Sequence, residues 1–407
     1  MAVTFPVNPE AAGLSPERLI RIRRKMEKHF DAGRLAGGLG LIMRRGHIGY
    51  FETWGMADRE AAAPMREDAI FRIYSMTKAV TGVAAMMLFE EGAFTLADPI
   101  SNFIPEFREM RVAVESPDPA TGKMMLTGTL PAARPITVLD LMRHTAGFNY
   151  TGPHDEKGEL LYPQRGVQLQ LVPGDLDSAE FVKRLAGVPL VREPGTAWDY
   201  GFGTDVLGRL VEVISGQSLS DFFTQRIFQP LQMSDTAFHV PEEKWDRLVP
   251  IYTPTPGGTI QRMSDPVQHA FRQSPKMFAG GAGLTSTALD YLRFVRMLFH
   301  GGELDGVRLL SPLTVELMRS DVLGDLPSVN PLLAAGHGFG LTFAISKGPG
   351  RAATLPPAGQ YRWGGAAGTT FWIDPSQEMI GIFMIQTLLD LAKRGEFMQL
   401  AYQAIID

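Results

Sequence analysis

The chain has 407 residues, enough to bury one large core or two, and its 45% hydrophobic and 20% charged composition is that of a globular protein. A formal net charge of −5, with no basic block, argues against nucleic acid as a partner. The absence of cysteine excludes disulfides, thiolate catalysis and cysteine-ligated metal centres.

The N-terminal stretch lacks a basic start followed by an apolar run, so no signal peptide is read there. The most apolar stretches, near residues 79–89 and 379–389, are too short to span a bilayer. A cytoplasmic protein is expected, without membrane contact, as a monomer or small homo-oligomer. Ser15-Pro16 reads as a helix start, followed by a stripe of Leu19, Ile22, Met26 and Phe30. Two apolar runs around Arg45-Gly46 read as a β-hairpin.

Residues 71–92, FRIYSMTKAVTGVAAMMLFEEG, organise the rest of the chain. A strand-like approach ends at Ser75, and a helix follows with Val80, Val83, Met87 and Leu88 as its inward stripe. Met86 and Met87 read as core filler. Lys78 falls on the same helix face as Ser75, which puts an amine beside a hydroxyl. A serine is a weak nucleophile until a neighbour takes its proton.

Residues 111–130 read as an excursion with a small hairpin. ITVLDLMRHTAG carries a helix signature: Thr137 caps, Asp140 completes a capping box, and Ile136 with Leu141 forms the staple. Arg143 and His144 are read as cations in its last turn. Residues 148–175 and 250–280 read as long loops, and 176–186, 204–214, 287–299 and the stretch after Ser311-Pro312 as helices. A further capped helix follows Ser218. GHGFGLTFAI reads as a strand, the runs flanking Asp374-Pro375 as a hairpin, and TLLDLAKRGEFMQLAYQAI as a terminal amphipathic helix.

Strand-rich ends thus flank a helix-rich middle. The simplest packing is α/β of the α+β kind: a central antiparallel sheet flanked by helices, plus a mostly helical inserted region. Residues 1–80 and 335–407 would form the sheet domain and 81–334 the helical region, with the site between them. No GxGxxG, Walker A or HExxH pattern appears, and the 8 scattered histidines give no metal-ligand spacing, so neither cofactor nor metal is expected. The GxSxG serine elbow is also missing.

Two further stretches add chemistry. Tyr200 precedes a Gly-rich turn and a helix, and a phenol near an ammonium can relay a proton. In RWGGAAGTTFWI, Gly364 and Gly365 leave a strand edge bare, so the Ala366 N–H and the Ser75 N–H could form a two-donor oxyanion hole.

On these residues the chain resembles the serine β-lactamase-like and penicillin-binding-protein-like enzymes. More narrowly, it is similar to the family VIII carboxylesterases, which resemble class C β-lactamases. SMTK matches the Ser-x-x-Lys element, so the resemblance implies Ser75 as nucleophile and Lys78 as its partner. YGF stands at the Tyr-x-Asn element, implying Tyr200 as the catalytic tyrosine. Trp363, Gly364 and Gly365 stand where class C enzymes have Lys-Thr-Gly. Phe202 replaces the amide and Trp363 the lysine, and neither can offer a charge-assisted bond to an anion. The expectation is therefore an esterase for short- to medium-chain, less charged esters, with β-lactam hydrolysis secondary. A class C-like β-lactamase, a D,D-peptidase and a non-catalytic binding protein are the alternatives. Tyr150, Phe148, Phe202 and His337 join Trp363 as expected pocket residues; Trp198 and Trp372 are read as core.

Overall fold

The computed structural model describes residues 6–169, 171–264 and 267–407. Residues 1–5, part of the stretch read for a signal peptide, and residues 170, 265 and 266 of the two long loops lie outside the described residues. Ser15 caps the first helix, α1 (Pro16–Asp31), by accepting the Arg18 N–H, and Leu19, Ile22 and Met26 form its buried face.

The hairpin forms between β1 (Gly37–Arg44) and β2 (His47–Asp58). Arg45 and Gly46 take φ of 51° and 79°, the left-handed pair that a two-residue turn needs to match strand twist. β3 (Ala63–Pro64) follows on the edge. Five strands from the other end of the chain complete the sheet: β4 (His337–Phe339), β5 (Ala344–Ser346), β6 (Tyr361–Gly364), β7 (Thr370–Asp374) and β8 (Met379–Ile385). The order is β4-β5-β6-β7-β8-β1-β2-β3, antiparallel throughout. The central join pairs β1 with β8 from Gly38↔Ile385 to Arg44↔Met379.

Side chains alternate between the two faces of this sheet. Ile380, Ile382 and Met384 of β8 join Leu39, Leu41 and Phe371 in the larger core. Met379, Phe383 and Ile385 join Trp54, Trp372 and Phe397 in the second, under α1 and the last helix. Trp372 lies across Gly381, where an added Cβ would stand 2.1 Å from the indole, so only glycine fits beneath that ring.

The larger core is built with α2 (Thr77–Glu90), α3 (Val138–Met142), α4 (Gly203–Ser215) and α5 (Ala288–Phe299). Thr137 and Asp140 form the expected capping box on α3, and Asp140 also accepts from Arg134 and Thr145. Trp198, Trp372, Met86 and Met87 are core residues.

Four local readings are corrected. α2 has no outward face: every residue from Thr77 to Leu88 is buried, because the helix runs through the middle of the core rather than along its side. GHGFGLTFAI is two strands, not one; Thr342, at φ 74°, turns the chain between β4 and β5. The terminal helix, α6, spans only Ala392–Gln403. The preceding residues are held otherwise, since the Thr387 and Leu389 N–H groups donate to the Ala367 and Ala366 carbonyls. His144 is no dipole-facing cation. It is buried at φ 56°, with its basicity pushed well below the histidine range by burial and then by Lys78.

Among the described residues no helix is long and apolar enough to cross a membrane.

Candidate active site

The short strand Phe71–Arg72 pairs with Thr285–Ser286 and delivers the chain into a tight turn, Tyr74–Met76, directly ahead of α2. Ser75 sits in that turn, half-buried, and Lys78 one turn later, fully buried. The Lys78 Nζ donates to the Gly281 carbonyl at 2.6 Å, to the Tyr150 hydroxyl at 2.9 Å and, at the long distance of 3.5 Å, to Ser75 Oγ. It also stands 4.8 Å from the centre of the Tyr200 ring.

Tyr200 arrives from the turn that precedes α4. Its hydroxyl accepts from Trp363 Nε1 at 3.2 Å. Tyr150 reaches it too: the two rings stand edge to face, 5.2 Å apart, and the Tyr150 phenol is held protonated well above its ordinary range. Burial is the main cause, followed by the neighbouring Tyr200 and Asp205 and by the hydrogen bond to Tyr200.

Behind Lys78 lies a buried carboxyl. The Gly281 peptide donates its N–H to Asp205 Oδ1 at 3.0 Å while its carbonyl accepts from Lys78. Burial raises the Asp205 pKa, and Lys78 opposes that rise.

The third component is the turn between β6 and β7. The Gly365 N–H donates to the Thr369 carbonyl at 2.8 Å, which closes the turn. A Cβ at Gly365 would stand 2.4 Å from the Ile73 carbonyl, so glycine lets this turn press against the backbone two residues before Ser75. Ala366 accepts from Leu389, while its own N–H makes no hydrogen bond among the described residues.

These parts surround one cavity of about 340 Å³. Its wall includes Ser75, Tyr150, Tyr200, His337, Trp363, Gly364, Gly365 and Ala366. Leu169, Leu171, Leu332 and Leu333 supply apolar surface, and Arg362 and Arg394 supply charge. Phe148 and Phe202, expected in the wall, are buried behind it instead. Phe202 packs edge-on against Tyr150, Tyr162 and Phe181, and Phe148 lies against Phe107. Sequence reasoning placed Tyr150 in the wall but missed its bond to Lys78. It missed Asp205, Gly281 and both arginines outright. A phenol two residues after Gly-Phe in a loop was the only signal for the first, and nothing local marked the others.

The β-lactamase family model matches residues 22–403. Protein Rv1367c of Mycobacterium tuberculosis is 36% identical over 374 residues, covering 89% of this chain and 88% of its own. Esterase EstB of Burkholderia gladioli is 31% identical over 385 residues, covering 90% of each chain. Among solved structures, EstCE1, described as a hydrolase with promiscuous acyltransferase activity, superimposes with a TM-score of 0.78 at 26% identity, covering 95% of this chain and 98% of its own. With a family match across almost its whole length, and relatives of this identity and coverage, the chain belongs to the β-lactamase family.

Proposed function

We propose that the chain is a serine carboxylesterase that hydrolyses short- to medium-chain carboxylic esters through an acyl-enzyme on Ser75, with β-lactam opening as a secondary activity. The observation that carries this reading is the buried Lys78 amine, bonded at once to the Ser75 hydroxyl and to a phenol under an apolar cavity. The resemblance to an esterase and to a hydrolase with acyltransferase activity supports it. The same reading takes residues 1–80 and 335–407 as one part and 81–334 as the other; all eight strands of the main sheet falling in the first part supports that division.

In the first half-reaction Ser75 Oγ bonds to the ester carbonyl carbon while its single proton passes to the Lys78–Tyr200 pair, onto whichever member is in its base form, the neutral amine or the phenolate. The carbonyl oxygen takes the negative charge and sits against the Ser75 and Ala366 N–H groups. Collapse breaks the carbon–oxygen bond to the alcohol, which leaves with a proton from Tyr200. Water then attacks the acyl-enzyme by the same route, returning the serine and freeing the acid. Trp363 acts by donating to the Tyr200 oxygen, which fixes that oxygen in place.

The test compares p-nitrophenyl butyrate with a chromogenic cephalosporin. The expected result is a kcat/KM higher for the ester by about 100-fold. Equal or better turnover of the cephalosporin would make the chain a β-lactamase, and turnover of neither would make it a binding protein.

A further inference from the structure

Trp363 stands where the resembled class C enzymes have a lysine, and the expectation from sequence is a less charged ester. The cavity holds two cations all the same. Arg362 projects from β6 and Arg394 from the first turn of α6, and both line the wall. The Arg394 guanidinium lies directly on the strand edge: a Cβ at Gly364 would stand 2.2 Å from Nη1. That position adjoins the turn carrying Ala366. The charge lost from residue 363 is thus supplied from the terminal helix.

Neither guanidinium has a carboxylate within ion-pair distance among the described residues. Arg394 Nε donates to the Leu391 carbonyl at 3.4 Å, and Arg362 Nη1 approaches Met398 Sδ at 3.8 Å, a weak acceptor. Asp390, a carboxylate whose charge bears on Arg394, is taken by Lys393. Two other inward-facing arginines do have carboxylate partners: Arg44 pairs with Asp407 and Arg247 with Asp235. Arg394 is pushed down to about 10, by burial first and then by repulsion from Arg362. Two like charges facing an apolar cavity without partners are costly, and an anion between them relieves both.

We infer that the cavity binds an ester that also carries a carboxylate, held by Arg362 and Arg394, with the leucine wall taking the rest of the molecule. A carboxylate is planar and accepts two parallel bonds from a guanidinium, so it suits this pair. The inference rests on the esterase reading above.

Matched esters test it without any variant. Mono-methyl succinate is set against methyl butyrate, which places the charge on the acyl side, and O-acetylglycolate against ethyl acetate, which places it on the alcohol side. The expected result is that, in at least one pair, the anionic ester has the higher kcat/KM by about tenfold or more, carried mainly by KM. In the Arg362→Met/Arg394→Met double variant that ratio should fall to about one, whatever the absolute rates. Preference for the neutral ester in both pairs, or a ratio that survives the double substitution, would overturn the carboxylate subsite. Turnover of p-nitrophenyl butyrate in the same preparation separates the two ideas: its absence defeats the esterase reading, and its presence with no anionic preference defeats only the subsite.

Discussion

Ser75→Ala is expected to lower kcat/KM for p-nitrophenyl butyrate by at least about 10⁴-fold. Among the described residues the Ser75 hydroxyl bonds only to Lys78, at 3.5 Å, so its loss removes the attacking atom and little else. The two N–H donors and the cavity survive the change, and binding with oxyanion stabilisation alone sets the residual rate. Little packing is lost with one half-buried oxygen, so the variant should unfold within a degree or two of the parent, as surface-like substitutions do. Retention of more than about a tenth of the activity would place the nucleophile elsewhere.

The second large effect separates the two phenols. Tyr200→Phe removes the oxygen that accepts from Trp363, and should lower kcat by about 10²- to 10⁴-fold with little change in KM. Tyr150→Phe removes one acceptor from Lys78, but Lys78 keeps its 2.6 Å bond to Gly281. A loss of about tenfold is expected there, the scale of one hydrogen bond in a buried network. Burial pushes the Tyr150 phenol well above its ordinary range, which makes it the poorer base expected of the two. Steady-state kinetics on the two variants decides the matter, and the reverse order of losses would hand the proton to Tyr150.

Much of the fold is legible in short stretches because short-range chemistry fixes them. Ser15-Pro16, the Thr137–Asp140 box, the Arg45-Gly46 turn and the Asp374 hairpin each carry their own signal, and each forms. Ser75, Tyr200 and the 364–366 turn line one cavity, with Lys78 bonded to Ser75 and buried beneath it; that grouping was readable only by resemblance, since no local pattern joins residues so far apart. What stayed illegible depends on packing between distant segments. Helix α2 shows a stripe in sequence yet is buried all round, because the core closes over both of its sides. Phe202 lies in the right stretch but turns into the core beside Phe181. The start of α6 is displaced because residues 387–389 pair with the turn between β6 and β7, a contact invisible in a helix-forming sequence. The same blindness hid Arg394: an arginine on an amphipathic helix reads as a solvated charge, and only Gly364 beneath it reveals the inward course.

The proposed mechanism needs one arrangement: a serine hydroxyl beneath two backbone donors and beside a lysine–phenol group. A crystal structure of the protein after reaction with a p-nitrophenyl alkylphosphonate tests it most directly. The expected result is a single adduct on Ser75 Oγ, with the phosphonyl oxygen within about 3.2 Å of the Ser75 and Ala366 nitrogens and the Tyr200 oxygen facing the alkoxy position. An adduct on another residue, or one on Ser75 whose oxygen turns away from both nitrogens, would contradict the arrangement.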